Sequence, residues 1–307
     1  MSAVIPSHEP AVSVLREVPL AGFTTLGVGG PARYFTLARS GAEIVAAHRW
    51  ARRRGISARV IGNGSNLLVD DAGVDGLVIR VSDADERAVR FLPGGRVRAE
   101  SAVPMARLIG LSVARGLSGL EHFAGIPAAL GGALYLNLHF LSPARDRLMF
   151  LGDVVESARI FEHDRVFTVG PDWFDFGYDH SVLVERPDAV VLDPPRRLPA
   201  AAPHGLGRGV RPNPAWRGNR PPPEAAARSA GSVFRNPPGA SAARLIDAAG
   251  LKGTRVGGAA VSTCHANFII NLGGARADDV HALIERVQRR VEEHSGLRLE
   301  PEVKRVA

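Results

Sequence analysis

The feature that most constrains this 307-residue chain is a short apolar strand that runs directly into glycine. Ala58–Ile61 (ARVI) is followed at once by Gly62-Asn63-Gly64-Ser65-Asn66 and then Leu67. Glycines let a backbone approach a ligand closely, and consecutive N–H groups can cradle an anion. Ser65 and Asn66 add side-chain donors. The spacing is neither the GxGxxG that opens a dinucleotide-binding helix nor a P-loop with its Lys-Ser/Thr pair. On spacing alone a plain turn has a slight edge over a ligand loop.

The surroundings of that loop read as α/β. Ala32–Leu37 (ARYFTL) is a strand pattern. Ser40 and Glu43 form a capping box that opens a helix to about Arg54, where Gly55 suits the left-handed residue that ends it. Leu77–Val81 is a further strand. Ala88–Leu92 and Arg96–Ser101 flank Pro93-Gly94-Gly95, a hairpin signal. A helix is predicted from Pro104 to Arg115, ended by Gly116. Short strands return between 150 and 196, including Val154–Phe161 and Ala189–Leu192. Residues 197–227 cluster Pro, Ala and Gly and read as a linker or loop. A last unit follows, with a helix over Ser241–Ala249 ended by Gly250 and a strand over Ala266–Leu272. Its final helix carries Val280, Leu283, Ile284, Val287 and Val291 on one face and ends at Gly296. One domain usually takes roughly 100–200 residues, so two or three packed units are expected.

Composition narrows the function classes. The net charge is +7, yet the arginines are scattered and the three Trp and three Tyr do not alternate with basic runs. A nucleic-acid stacking platform needs that alternation, so no nucleic acid is expected as a partner. Small polyanionic ligands account for a positive potential equally well. No apolar run approaches the ~18 residues of a membrane span. The opening MSAVIPSHEP has no basic segment leading into an apolar one, so a soluble cytoplasmic protein is expected. Cys264 is the only cysteine, so no intramolecular disulfide can form. Beside His265 it reads as a packed thiol rather than a nucleophile. No metal site is expected.

Three more segments hold chemistry-bearing residues. Ala124–Ala133 (AGIPAALGGA) is a second glycine run, which alone also suits close backbone packing. Ser229–Pro237 (SAGSVFRNP) has no GxSxG elbow. Its Ser232 is a structural turn residue or a proton donor. Arg235 and Asn236 suit phosphate and amide groups. In Leu299-Glu300-Pro301-Glu302-Val303 two carboxylates flank a proline, and an extended chain would point them to the same side. A solvated surface pair is the simpler reading.

In their order and spacing these segments resemble the UDP-N-acetylenolpyruvylglucosamine reductase family, in the subgroup lacking the tyrosine loop. Phe23–Gly30 (FTTLGVGG), Gly116–Glu121 (GLSGLE), Gly250-Leu251-Lys252-Gly253 and His265-Ala266-Asn267-Phe268 extend the match. The resemblance covers most of residues 20–135 and 228–306. It implies an α+β fold: a bipartite FAD-binding domain of the vanillyl-alcohol-oxidase (PCMH-type) class plus a smaller α/β substrate-binding domain. The FAD-binding parts would be 16–82 and 83–196, with 197–227 a linker. Residues 228–299 would bind substrate, and 300–307 would return to the active site. The implied reaction is NADPH-driven, FAD-dependent reduction of the enolpyruvyl UDP-sugar to UDP-N-acetylmuramate, in a monomer without a membrane partner.

By position, Gly62, Asn63, Gly64, Ser65, Asn66 and Leu67 would hold FAD together with Gly125, Ile126, Pro127, Ala128 and Gly131. Ser232 would protonate the carbanion and Glu302 would assist. Arg235, Asn236, Lys252 and His265 would bind substrate. Three departures stand in the middle third. Tyr178-Asp179-His180-Ser181 puts Asp179 where the family carries an arginine for the substrate carboxylate. Asn137–Ser142 (NLHFLS) replaces an Asn-Ala-Gly-Ala-Tyr-Gly loop, and the Pro-rich 197–227 replaces a polar helical stretch. Two readings stay open. One is an active reductase in which His180, Arg186 or another cation substitutes for the arginine. The other is a flavoprotein of the same fold with impaired or altered activity.

Overall fold

A computed structural model of the protein describes residues 11–82, 88–142, 146–193, 195–197 and 228–307. Along the chain run β1 (Leu15–Pro19), β2 (Pro31–Ala38), α1 (Gly41–Arg52), β3 (Ala58–Ile61), β4 (Leu67–Val69) and β5 (Val74–Val81). Next come β6 (Val89–Leu92), β7 (Arg96–Ala99), α2 (Met105–Val113), α3 (Leu130–Tyr135), β8 (His139–Leu141) and β9 (Leu148–Phe150). β10 (Ala158–Glu162), β11 (Arg165–Val169), β12 (Val190–Asp193) and β13 (Pro195–Arg197) follow. The last stretch holds β14 (Arg228–Ser232), α4 (Ala242–Ala248), β15 (Arg255–Val256), β16 (Ala259–Val261), β17 (Phe268–Asn271), α5 (Ala277–Ser295) and β18 (Lys304–Val306).

These elements form two compact units, neither of them one continuous stretch. The first is built from the described residues of Met1–Leu15, Tyr34–Gly62 and Gly76–Ala215. The second takes those of Arg16–Arg33, Asn63–Asp75 and Trp216–Ala307.

In the first unit β3 and β5 pair in parallel, from Ala58 opposite Leu77 to Ile61 opposite Arg80. The helix α1 starts where the capping residues predict. Ser40 Oγ accepts the Glu43 N–H at 3.3 Å, while the Glu43 carboxylate accepts the Arg39 N–H at 2.8 Å, one residue earlier than a strict capping box. Its buried Ile44, Ala47 and Ala51 share a core with Leu77, Ile79, Leu108, Phe123 and Phe174. The predicted hairpin forms as β6 and β7, with Leu92 opposite Arg96 and Gly94 at φ 74°. The strand predicted from Val154 starts only at Ala158. Ahead of it, Leu151–Val154 is wound into a 3-10 turn, and Asn137 Oδ1 takes the Gly152 N–H at 2.9 Å. β10 then pairs antiparallel with β11 and β12.

In the second unit β14, β17, β16 and β15 form one antiparallel sheet in that order. The predicted stripe on α5 is fully buried: Val280, Leu283, Ile284, Val287 and Val291 share a core with Phe234, Ile246, Ile269 and Leu299. Burying a side chain of this kind stabilises by about 1.5–3 kcal/mol. α5 ends at Gly296, φ 71°, in the left-handed conformation expected of the residue after a helix. Its first turn is capped from far away in sequence, because the Asp71 carboxylate accepts the Ala277 and Asp278 N–H groups at 3.0 and 3.1 Å. β18 pairs in parallel with β4, Lys304 opposite Leu67. Arg305 adds an ion pair to Asp70 at 2.6 Å. That guanidinium holds the Asp70 carboxyl below the usual carboxylate range, although burial opposes it.

Cys264 is exposed rather than packed, because it sits on a tight turn ahead of β17. Among the described residues no cluster of three or more His, Cys, Asp or Glu could hold a metal, and no helix is long and apolar enough to cross a membrane. The predicted linker lies outside the described residues from 198 onward.

Candidate active site

Ser232 ends β14, and the way the strand reaches it is unusual. Ser229 lies opposite Ile270 and Ser232 opposite Phe268, so three steps on β14 match two on β17. This is a β-bulge, which bends a strand and re-aims the next side chain. Gly231 absorbs the extra residue at φ 79°, a conformation that favours glycine. The Ser229 hydroxyl accepts the Gly231 N–H at 3.2 Å. Ser232 itself is half-buried.

Beyond Ser232 the chain is gripped from both sides. The Val233 N–H donates to Asn267 O at 2.9 Å. The buried Asn267 side chain brackets Phe234, its Oδ1 accepting the Phe234 N–H at 3.0 Å and its Nδ2 donating to Phe234 O at 2.8 Å. On the other side lies the C-terminal segment. Arg235 N–H donates to Glu300 O at 2.9 Å, and Glu302 N–H donates to Val233 O at 2.7 Å. Pro301 pairs with Phe234 between these two bonds, at the one position where a missing N–H costs nothing. The main chain of Glu302 is thereby held on the residue that follows Ser232. The two carboxylates around Pro301 are not equivalent, since Glu302 is half-buried and Glu300 exposed.

The other candidate side chains of this unit divide into two groups. The His265 ring lies 4.4 Å from that of Phe268, the residue opposite Ser232. Its turn is shaped by Ser262 Oγ, which accepts the N–H groups of Cys264 and His265 at 3.1 and 3.2 Å. Arg235 lies three residues beyond the end of β14. Asn236 and Lys252 also have structural partners. Asn236 Oδ1 accepts the Ala242 N–H at the start of α4 at 3.0 Å, and the exposed Lys252 pairs with Asp247 at 2.8 Å.

The glycine segments are built for close approach. A Cβ on Gly64, which has φ 63°, would lie 2.1 Å from Phe23 O, and Gly64 O accepts the Thr25 N–H at 3.1 Å. Asn66 Nδ2 donates to Glu302 O at 3.2 Å, while its Oδ1 is buried and accepts no hydrogen bond among the described residues. In the first unit the Arg80 guanidinium donates to Gly62 O. A Cβ on Gly62 would meet only the Ala129 Cβ, at 3.5 Å. The second glycine run therefore comes up to the first at this point. It is fixed there by Met105 N–H on Ala128 O (2.9 Å), Leu130 N–H on Val103 O (2.9 Å) and Gly131 N–H on Ser101 O (2.8 Å). Within the second unit, the close backbone approach at Gly64 and the unsatisfied buried carbonyl of Asn66 fit a large polar cofactor such as FAD.

Residues 222–306 match the family described as UDP-N-acetylenolpyruvoylglucosamine reductase, C-terminal domain, and residues 32–161 match an FAD binding domain. The chain is 37% identical over 288 residues to a UDP-N-acetylenolpyruvoylglucosamine reductase of Rubrobacter xylanophilus, covering 94% of this chain and 93% of that one. This chain belongs to the UDP-N-acetylenolpyruvoylglucosamine reductase family. A relative of the same name from Parasynechococcus marenigrum is 40% identical over 300 residues, with 94% and 95% covered. The crystal structure of the UDP-N-acetylenolpyruvylglucosamine reductase from Thermus caldophilus superposes with a TM-score of 0.77 at 35% identity, covering 97% of this chain and 99% of that one. The expected fold class is therefore the observed one: α+β, an FAD-binding domain with a family-specific C-terminal domain.

Against the pattern of the reductase family, two of the three departures meet in space. Asp179 is buried at φ 51°, and its Oδ1 lies 3.7 Å from His139 Nδ1. His139 belongs to the altered loop 137–142, and its ring lies 4.4 Å from that of Tyr178, tilted by 41°. Burial lowers the His139 pKa and the Asp179 charge opposes that shift. The loop and the turn are stitched together by Asn137 Nδ2 on Gly177 O (3.0 Å) and by Ser181 Oγ on Tyr135 O (2.8 Å). Arg186 forms a two-pronged pair with Glu162 at 2.9 and 2.8 Å, beneath the Trp173 ring. His180 lies 3.9 Å from Glu185. The titratable side chain facing Asp179 in the altered loop is His139, a residue that sequence reasoning did not single out. Asn267 was noticed only as a motif letter. An asparagine inside the predicted apolar strand Ala266–Leu272 is the sequence signal of its bracketing role, and the structure places it in the turn just ahead of β17.

Proposed function

We propose that this protein catalyses the NADPH-driven, FAD-dependent reduction of UDP-N-acetyl-3-O-(1-carboxyvinyl)glucosamine to UDP-N-acetylmuramate, in peptidoglycan precursor synthesis. Family membership supports the reaction class. The observation that carries the site is the Glu302 N–H bond to Val233 O, which holds a half-buried carboxylate residue beside the Ser232 strand. FAD, when bound, supplies a two-electron carrier that accepts hydride from NADPH and delivers it to the carboxyvinyl double bond. The Ser232 hydroxyl protonates the carbon left with the negative charge, and the bulge at Gly231 sets where that hydroxyl points. Glu302 stabilises the developing enol or assists the proton transfer.

Arg235, Asn236, Lys252 and His265 bind the sugar nucleotide, the cations matching its diphosphate. Gly62–Leu67 and Gly125–Ala128 with Gly131 hold FAD. In this reading residues 16–82 and 83–196 serve the cofactor, 228–299 the substrate, and 300–307 return Glu302 to the chemistry. The protein acts as a cytoplasmic monomer, with neither nucleic acid nor membrane as partner, and serves cell shape and division through the cell wall.

The experiment is an absorption spectrum run beside an NADPH-oxidation assay with the UDP-sugar. The purified protein should carry a flavin band, and NADPH consumption should depend on the sugar. Ser232→Ala should abolish that dependence while flavin reduction by NADPH persists. A colourless protein that FAD cannot reconstitute would sink the proposal. A yellow protein whose reduced flavin the sugar never reoxidises would point instead to a flavoprotein with altered activity.

A further inference from the structure

The peptide of Glu302 is suspended between two elements of the same unit. Its N–H is bound by Val233 O, next to Ser232, and its C=O is bound by the carboxamide of Asn66 at 3.2 Å. Asn66 also accepts the Lys304 N–H on its main-chain oxygen at 2.9 Å. One residue of the glycine loop therefore clasps the chain on both sides of Val303. The clasp continues into paired strands: Leu67, the next residue, begins β4 opposite Lys304 of β18, and Asp70 N–H donates to Val306 O at 2.8 Å. Only the first contact, Asn66 Nδ2 to Glu302 O, depends on a side chain at position 66.

The other half of that side chain is unsatisfied. Asn66 Oδ1 is buried and has no donor among the described residues. A buried carbonyl without a donor is unfavourable, so the amide is oriented for an N–H or O–H supplied by a bound ligand. A carboxamide has a rigid plane: a ligand that binds Oδ1 fixes Nδ2, and Nδ2 fixes Glu302.

We propose that Asn66 is a positioning residue for Glu302, its carboxamide coupling occupation of the glycine loop by a donor-bearing cofactor to the placement of the Glu302 carboxyl. This rests on the reading above, in which the loop holds FAD and Glu302 serves the reaction. A residue that merely lined the cofactor would affect affinity alone. A positioning residue also sets how firmly residues 300–304 are held and how fast bound substrate turns over.

The test uses the full chain with Asn66→Ala and with Asn66→Asp, which keeps the shape and removes the donor. Amide hydrogen exchange over residues 300–306 is measured with and without FAD, FAD affinity by flavin fluorescence, and kcat and KM at saturating FAD. In the wild type, FAD should slow exchange at Glu302 and Lys304. Both variants should exchange there about tenfold faster and lose the FAD effect, as expected for one lost hydrogen bond. At saturating FAD, kcat should fall about tenfold or more while KM for the UDP-sugar stays within about threefold, as for a misplaced group. Variants with weakened FAD affinity but wild-type exchange and wild-type kcat at saturation would overturn the proposal and leave the FAD site intact. A wild type that binds no FAD would overturn the functional reading. The exchange comparison without FAD would then still decide whether Asn66 holds Glu302.

Discussion

His48 offers a quantitative test of the first unit's core. It lies on α1 with its ring 5.5 Å from that of Phe161, and its Nε2 is buried with no hydrogen-bond partner among the described residues. Burial lowers its pKa from 6.5 to about 4, with the Asp188 charge opposing. Folding therefore favours the neutral ring. Above pH 6.5 both folded and unfolded chains are neutral at this site, and it contributes nothing to pH dependence. As pH falls from 6.5 towards 4 the unfolded chain takes up a proton that the folded one refuses, so stability is lost. Each pKa unit is about 1.4 kcal/mol, so the full window amounts to about 3 kcal/mol. Between pH 8 and pH 5 the loss is about 2 kcal/mol. His48→Leu removes the titration at similar volume. Urea unfolding of both proteins, followed by fluorescence at pH 8 and pH 5, should show the variant gaining about 2 kcal/mol on the wild type at the lower pH. A wild-type-to-variant difference that is the same at both pH values would refute the assignment of a buried neutral histidine here.

Two further predictions concern the site. Asn267→Ala strips both hydrogen bonds from Phe234 and leaves a buried N–H and C=O unsatisfied, so it should destabilise by about 2–4 kcal/mol, read as a drop in urea midpoint with unchanged slope. Asp179→Asn removes the charge that opposes the burial of His139. The His139 pKa, followed by imidazole NMR, should move further down. A rise would mean that Asp179 is not what faces the ring.

Much of the local architecture can be read without coordinates, for a physical reason. Caps, hairpin turns and amphipathic stripes are set by residues within one or two helical turns of each other. Ser40, Gly94, Gly296 and the Val280–Val291 face all act at that range, and each ended where its local chemistry placed it. The resemblance to a known family also picked out Ser232 and Glu302, but as letters in a pattern. What holds those letters together spans the chain. Asn66 and Glu302 are 236 positions apart, and Asn267 brackets Phe234 from 33 positions away. The pairing of β18 with β4 leaves no periodicity in either short segment. The contact between Asp179 and His139 was equally invisible, since each was seen only as a separate departure from the family. Local periodicity specifies which face of an element is apolar. It carries no information about which distant backbone will meet that face, because that choice is made by the packing of the whole unit, where buried polar groups must find partners.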